Sequence, residues 1–211
     1  RVTKLFIYQR KKETNMSTRG LYGVVIDGEV KASYNHYDSY PSGLGYQILK
    51  EINAGTLTAD RARYMRLVDE NGTPTQDQIT TMVDAGLHNP NVSSGETAEW
   101  YSLMREAQGK LHANLTTGYM IDNLEFASDS LFCEWGYLVN FDTNCLEVYE
   151  GFNENTPVGR FQDMKGQGHS KYQPITLVAE IPFTVDNGVA TLTEIQMTYG
   201  REVLRDLEND F

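Results

Sequence analysis

The chain is poor in cysteine and in positive charge, and it has no long apolar run. Its 211 residues include two cysteines, Cys133 and Cys145, too few for the disulfide framework of a small secreted scaffold. Both fall in one expected hairpin that turns near Asp142-Thr143-Asn144. Cys145 then lies beside the turn and Cys133 about nine residues back, on the order of 30 Å away at about 3.3 Å per residue. A disulfide needs α-carbons within about 7 Å, so free thiols in a reducing compartment are expected. With no helix start or adjacent histidine to lower a thiol pKa, they read as core residues. No stretch approaches the roughly 20 apolar residues of a membrane span, and Leu5-Phe6-Ile7 is too short for a signal-peptide core; a cytoplasmic location and no membrane partner are expected. Lys and Arg number 18 against 29 Asp and Glu, a net charge of −11. That balance opposes loose attachment to a phosphate backbone, and no direct nucleic-acid binding is expected. CxxC pairs, HExxH, GxSxG, EF-hand, P-loop and GxGxxG frames are all missing from the sequence, so neither a metal nor a cofactor is expected.

Residues 1–15 contradict the acidic trend. They carry Arg1, Lys4, Arg10, Lys11 and Lys12 against Glu13 alone, which leaves residues 16–211 with 13 basic and 28 acidic side chains and a net charge of −15. A basic arm is one reading. The other is a translated leader: Lys12-Glu13 can be encoded by AAGGAG, a bacterial ribosome-binding sequence, two codons ahead of Met16. The expected organisation is therefore a non-native leader or basic arm over 1–15 and a single α+β domain over 16–211, long enough to bury a real core.

Strand and helix signals are segregated along that domain. Residues 21–26 and 30–37 read as a hairpin with Asp27-Gly28 in the turn, the pair that primed turns prefer. A helical insertion follows near 45–113. Its expected helices run over 45–53, over 59–70 behind Thr58, from a Thr75/Gln78 capping box to Gly86, and from a Ser93/Glu96 box through Trp100 to Leu111. The second half reads as antiparallel sheet. Trp135, Tyr137, Val139 and Phe141 alternate toward a core, Leu146 and Val148 return beside them, and further strands are expected at 175–180 and 189–195. An α+β fold, with an αββα sandwich as one form of it, is the expectation. Residues 153–171 form a polar, glycine-bearing connection of a length that usually marks a lid, a binding loop or disorder.

Candidate chemistry gathers at the first hairpin, where Arg19, His36, Asp38 and four tyrosines crowd around one turn of chain. If residues 31–40 are extended, His36, Asp38 and Tyr40 project from one face and Asn35, Tyr37 and Ser39 from the other. A histidine and a carboxylate two residues apart can act as an oriented base, and structural hydrogen bonding or a shared metal are the alternatives. Arg19, across the hairpin, can pair with Asp38 or hold an anionic ligand bidentately. Arg19, His36, Asp38 and Tyr40 are thus expected to converge on one pocket, with Tyr37 beside it. In the long connection, Arg160, Lys165, His169 and Lys171 sit among Gly159, Gly166 and Gly168, either as a solvated loop or as an anion-binding lid.

Met16-Ser17-Thr18-Arg19-Gly20, followed by Tyr34-Asn35-His36-Tyr37-Asp38-Ser39-Tyr40-Pro41, resembles a group of uncharacterised bacterial and phage proteins. These open Met-Gly-Thr-Arg and soon carry a His-aromatic-Asp-x-Tyr-Pro run; residues 134–149 have the same cast. The resemblance covers roughly a quarter of the chain and implies a phage or bacterial source, hence host cytoplasm for a phage protein. It implies no activity. Removal of Met16 would expose Ser17 at the head of the first strand, where its own amine can serve as base for its hydroxyl. In order of parts the chain is also similar to the choloylglycine-hydrolase branch of the N-terminal-nucleophile hydrolases, an analogy of fold alone. Ser17 stands where the resembling proteins have Gly, and the run 35–38 is longer than that branch's Asn-x-Asp.

Two functions remain open on the sequence. One is a metal-independent hydrolase of amide-type bonds that takes a small-molecule or peptide-like ligand, with Ser17, His36 and Asp38 catalytic. The other is a non-catalytic acidic protein that meets a basic host protein, for example a phage-encoded inhibitor of a host nucleic-acid-binding or defence enzyme.

Overall fold

The structure is a computed structural model and describes residues 18–87, 99–166, 171–184 and 188–209; the 1–15 segment lies outside them. Asp27 and Gly28 set the first element. Their φ angles of 54° and 79° are those of a two-residue primed turn, and they join β1 (Gly20–Ile26) to β2 (Glu29–Asn35) in register from Gly20↔Asn35 to Ile26↔Glu29. Asp142 clamps this turn from a second hairpin: its carboxylate accepts from the backbone N–H groups of Asp27 (2.8 Å) and Gly28 (2.9 Å).

That second hairpin consists of β5 (Trp135–Asn140) and β6 (Cys145–Glu150), and with β7 (Thr176–Pro182) it completes a five-stranded sheet of order β2-β1-β5-β6-β7. Strand alternation divides the core between the two faces. Tyr22, Val24, Trp135, Tyr137, Val139 and Val148 meet Ile48 and Leu49 of α1 (Tyr46–Asn53), Ala62 of α2 (Ala59–Tyr64), Leu111 and Leu115 of α5 (Leu111–Thr117), and Leu192 of α6 (Gly188–Asn209). Leu21, Val25, Leu138 and Tyr149 face the other way, against Ala127 of a 3₁₀ turn at Leu124–Ser128 and against Cys133, Phe161 and Ile175 from loops. A third cluster packs Met82 of α3 (Gln76–Asp84) on Trp100 and Leu103 of α4 (Trp100–Leu103) and on Ile121 of β4 (Tyr119–Ile121), which pairs in parallel with β3 (Arg66–Val68). Among the described residues no helix is long and apolar enough to cross a membrane.

The α+β class holds, and the helices between the two hairpins fill the expected insertion. An αββα sandwich is not formed among the described residues: one sheet carries both cores, and loops, not helices, cover its second face. Nor is the sheet wholly antiparallel, because β1 and β5 run parallel; the helical insertion between them supplies the long crossover that parallel pairing requires. The helix expected over 59–70 stops at Tyr64. Lys31 ends it, its Nζ donating to the carbonyls of Ala62 (3.0 Å), Arg63 (3.0 Å) and Met65 (2.8 Å), which satisfies the orphan groups of the last turn. The expected helix from Trp100 to Leu111 stops at Leu103; a 3₁₀ turn at Arg105–Ala107 follows, and Gly109, at φ +72°, separates that turn from α5. The strand expected at 189–195 is instead the start of α6; its apolar residues fit both periods, and burial of Leu192 with partial burial of Ile195 follows the helical one. The Thr75/Gln78 capping box forms. The Ser93/Glu96 box lies outside the described residues.

Candidate functional site

Regular pairing in β2 stops at Asn35, and the chain then folds back on itself. The Nδ2 of Asn35 donates to Ser39 Oγ (2.8 Å) and to the Tyr37 carbonyl. Ser39 is tied by its N–H to the Thr18 carbonyl (3.2 Å) and by its carbonyl to the Tyr137 hydroxyl (2.9 Å). Between them Asp38 adopts φ 51°, a left-handed conformation that Asp tolerates better than most residues. Its carbonyl accepts from Leu44 N–H (2.9 Å), and a Cβ at Gly43 would stand 2.3 Å from that same oxygen, so only glycine permits the approach. A wide helical turn, Pro41–Gly45, then runs directly into α1. The expectation that His36, Asp38 and Tyr40 share one strand face therefore fails, because the alternation ends at Asn35.

This turn forms one wall of an open cavity of about 630 Å³. Asn35, Tyr37, Asp38 and Gln47 line one side, and Arg105, Gln108, Gly109 and Lys110 line the other. Gln47 Nε2 bridges the walls by donating to the Gly109 carbonyl (3.2 Å). Gly109, at positive φ, passes so close to Asn35 that a Cβ would meet its Oδ1 at 2.7 Å. Lys110 pairs with Glu106 at 3.9 Å. The Arg105 guanidinium lies 5.4 Å from the centroid of the Tyr101 ring and donates to its hydroxyl. A smaller cavity of about 210 Å³, lined by Tyr34, Tyr101, Ile121 and Phe126 and by the polar Ser33, Glu70 and Asn123, shares Gln108 with the larger one.

Arg19 and His36 form a neighbouring group, one register step beyond the Gly20↔Asn35 pair. His36 Nδ1 lies 2.6 Å from the Tyr34 hydroxyl, and the Tyr37 ring stands edge-on to the imidazole, centroids 4.3 Å apart. Partial desolvation, and then the positive charges of Arg19 and Arg105, hold the imidazole below the usual histidine range. The guanidinium of Arg19 stacks on Phe132, 5.4 Å from the ring centroid. Burial pushes the nearby Glu134 carboxyl up, against the pull of Arg19, whose backbone N–H reaches Glu134 Oε1 at 3.4 Å. Tyr40 contributes its carbonyl, which accepts from Gly43 (2.9 Å) and Gly45 (3.4 Å). Of the four residues expected in one pocket, Asp38 lines the cavity, joined by Tyr37, while Arg19 and His36 sit together beside it.

The long connection does not supply its expected set. Arg160 is committed to Glu147, a buried carboxylate on β6, through bonds of 2.6 and 3.1 Å. The same carboxylate accepts from Asn140 Nδ2 and the Tyr149 hydroxyl, each at 2.6 Å. Arg160 thus closes a structural network rather than a ligand lid. Potential ligand atoms of Cys145, Glu147 and Glu180 lie within 4.8 Å of one another, but both Glu147 oxygens are already occupied by these three donors. Both cysteines are buried and free, and burial pushes both thiols up. Lys165 is exposed. Ser17 and His169 lie outside the described residues.

Arg105, Gln108 and Lys110 were missed from the sequence because residues 100–111 read as one amphipathic helix. The polar run Arg105-Glu106-Ala107-Gln108-Gly109-Lys110, with glycine near its end, was the available sign of a break. No family model matches the chain, and neither the curated proteins nor the solved structures give a match.

Proposed function

We propose that the protein binds a small polar or peptide-like molecule in the cavity between the turn that follows β2 and residues 105–110. The observation that carries this reading is that the walls are built before any ligand arrives. Gly43 allows a backbone approach to Asp38 that no other residue permits, Gly109 at positive φ brings the second wall against the Asn35 side chain, and the Gln47 bridge joins the two sides. A wall fixed in advance lowers the ordering cost of binding, and the cavity volume falls within the ordinary range for small-molecule sites. Its lining offers two cations, two carboxylates and three side-chain amides, a surface for polar recognition. The test is a ligand-observed NMR screen of amino acids, short peptides and small amides against the protein and its Gln47→Trp variant, which places an indole on an exposed position of the wall. Compounds that bind the protein should fail to bind the variant. Equal binding to both would remove the cavity as the site.

A second reading, amide hydrolysis with Ser17 as an N-terminal nucleophile, is favoured by the bond from Ser39 N–H to the Thr18 carbonyl. That bond ties the head of β1 to the same turn that carries the cavity residues Asn35 and Asp38. The mechanism needs a free α-amine of pKa near 8 to take the hydroxyl proton. A chain starting at Ser17 should then cleave members of an amide panel that the longer chain leaves intact, and Ser17→Ala should abolish the cleavage. If both chains are inactive the reading fails, and binding without chemistry, including an acidic surface for a basic host protein, becomes the better description.

A further inference from the structure

Two opposite charges line the cavity without neutralising each other. Asp38 is exposed, and its carboxylate has no ion-pair partner among the described residues; Arg105 has none either, its guanidinium resting on Tyr101. The other two charged lining residues, Lys110 and Glu106, already pair with one another. One positive and one negative group therefore remain for a ligand. A simple anion would meet Arg105 but also Asp38, and a simple cation the reverse. A molecule that carries both charges satisfies both.

The uncharged lining narrows the class. Gln108 makes no hydrogen bond among the described residues through its side-chain amide, which leaves a donor and an acceptor suited to a peptide group. It also borders the smaller cavity, where Ser33, Glu70 and Asn123 stand beside Tyr34, Tyr101, Ile121 and Phe126, and the three rings with Ile121 offer an apolar side chain its contacts. Chain ends in a two-residue peptide stand about 7 Å apart when extended, a length that a cavity of about 630 Å³ accommodates.

We propose that the ligand is a free amino acid or short peptide bound as its zwitterion, ammonium on Asp38 and carboxylate on Arg105, with an apolar side chain in the smaller cavity. This rests on the binding role proposed for the cavity. The experiment is titration calorimetry with the dipeptide Ala-Phe, its C-terminal amide and its N-acetyl form, using the protein and the Asp38→Asn and Arg105→Gln variants. Asn tolerates the left-handed conformation that Asp38 adopts, so the first variant keeps the turn. Ala-Phe binds, and capping either end weakens binding at least about tenfold, the scale of a hydrogen bond to a charged group. Asp38→Asn abolishes the discrimination against the N-acetyl form, and Arg105→Gln that against the amide. Capped forms that bind as well as Ala-Phe would overturn the inference with no reliance on either variant. If Ala-Phe does not bind while another compound binds and is lost in Gln47→Trp, the zwitterion is wrong and the cavity reading stands. If nothing in the screen binds, both fall.

Discussion

Glu147 lies beneath the loops that cover the second face of the sheet, with both oxygens hydrogen-bonded. Burial alone would raise its carboxyl, but the bonds from Arg160, Tyr149 and Asn140 hold it below the usual carboxylate range. A carboxyl whose folded pKa lies below its unfolded value stabilises the fold fully above the unfolded value and loses that contribution as pH falls through the folded one. Removing the cation should therefore hurt most where Glu147 is ionised. Arg160→Met is expected to cost about 3 kcal/mol at neutral pH, the cost of leaving one partner of a buried pair, and distinctly less near pH 3, by urea denaturation at both values. An equal loss at both would mean that Glu147 is not the charge Arg160 compensates. At this scale the sequence drew attention to Asp38 because its polar and aromatic neighbours are close in the chain, but it read residues 31–40 as extended where the strand ends at Asn35. It gave Arg160 a ligand role because Glu147, thirteen residues away, becomes its neighbour only when the long connection folds over the sheet.

Elements whose cause is local were legible: Asp27-Gly28 dictates the first hairpin, and Thr75 with Gln78 the start of α3. Elements ended by distant residues were not. Nothing between 59 and 70 signals that the helix stops at Tyr64, because the group that caps its carbonyls is Lys31, on β2. Lys31→Met should keep the aliphatic stem and lose the three bonds, at about 2 kcal/mol in thermal or chemical unfolding. A variant as stable as the original would show that the carbonyls find other partners. The parallel pairing of β1 with β5 was hidden for the same reason: register between strands separated by the whole helical insertion is set by the core they share, not by the residues that join them.

In the whole molecule, the cavity lies at the end of an edge strand, β2, where the sheet meets the helical insertion. Asn123 protects that edge by donating its N–H to the Ala32 carbonyl (3.0 Å) and accepting at Oδ1 from Tyr34 N–H (3.1 Å) and Ser33 Oγ (3.2 Å). Such covering keeps an edge from pairing with another chain and leaves the turn at 36–40 as the open end. One wall of the cavity comes from the end of β2, the turn that follows it and α1, and the other from residues 105–110, which reach it through the packing of α1, α4 and α5. Amide shift mapping of the ¹⁵N-labelled protein, on addition of a compound that binds in the screen, locates the site without presuming any chemistry. The largest shifts should fall at residues 35–47 and 105–110 together, on both walls of the cavity. Shifts confined to the 154–166 connection, or scattered over the acidic surface, would contradict the assignment of this cavity as the binding site.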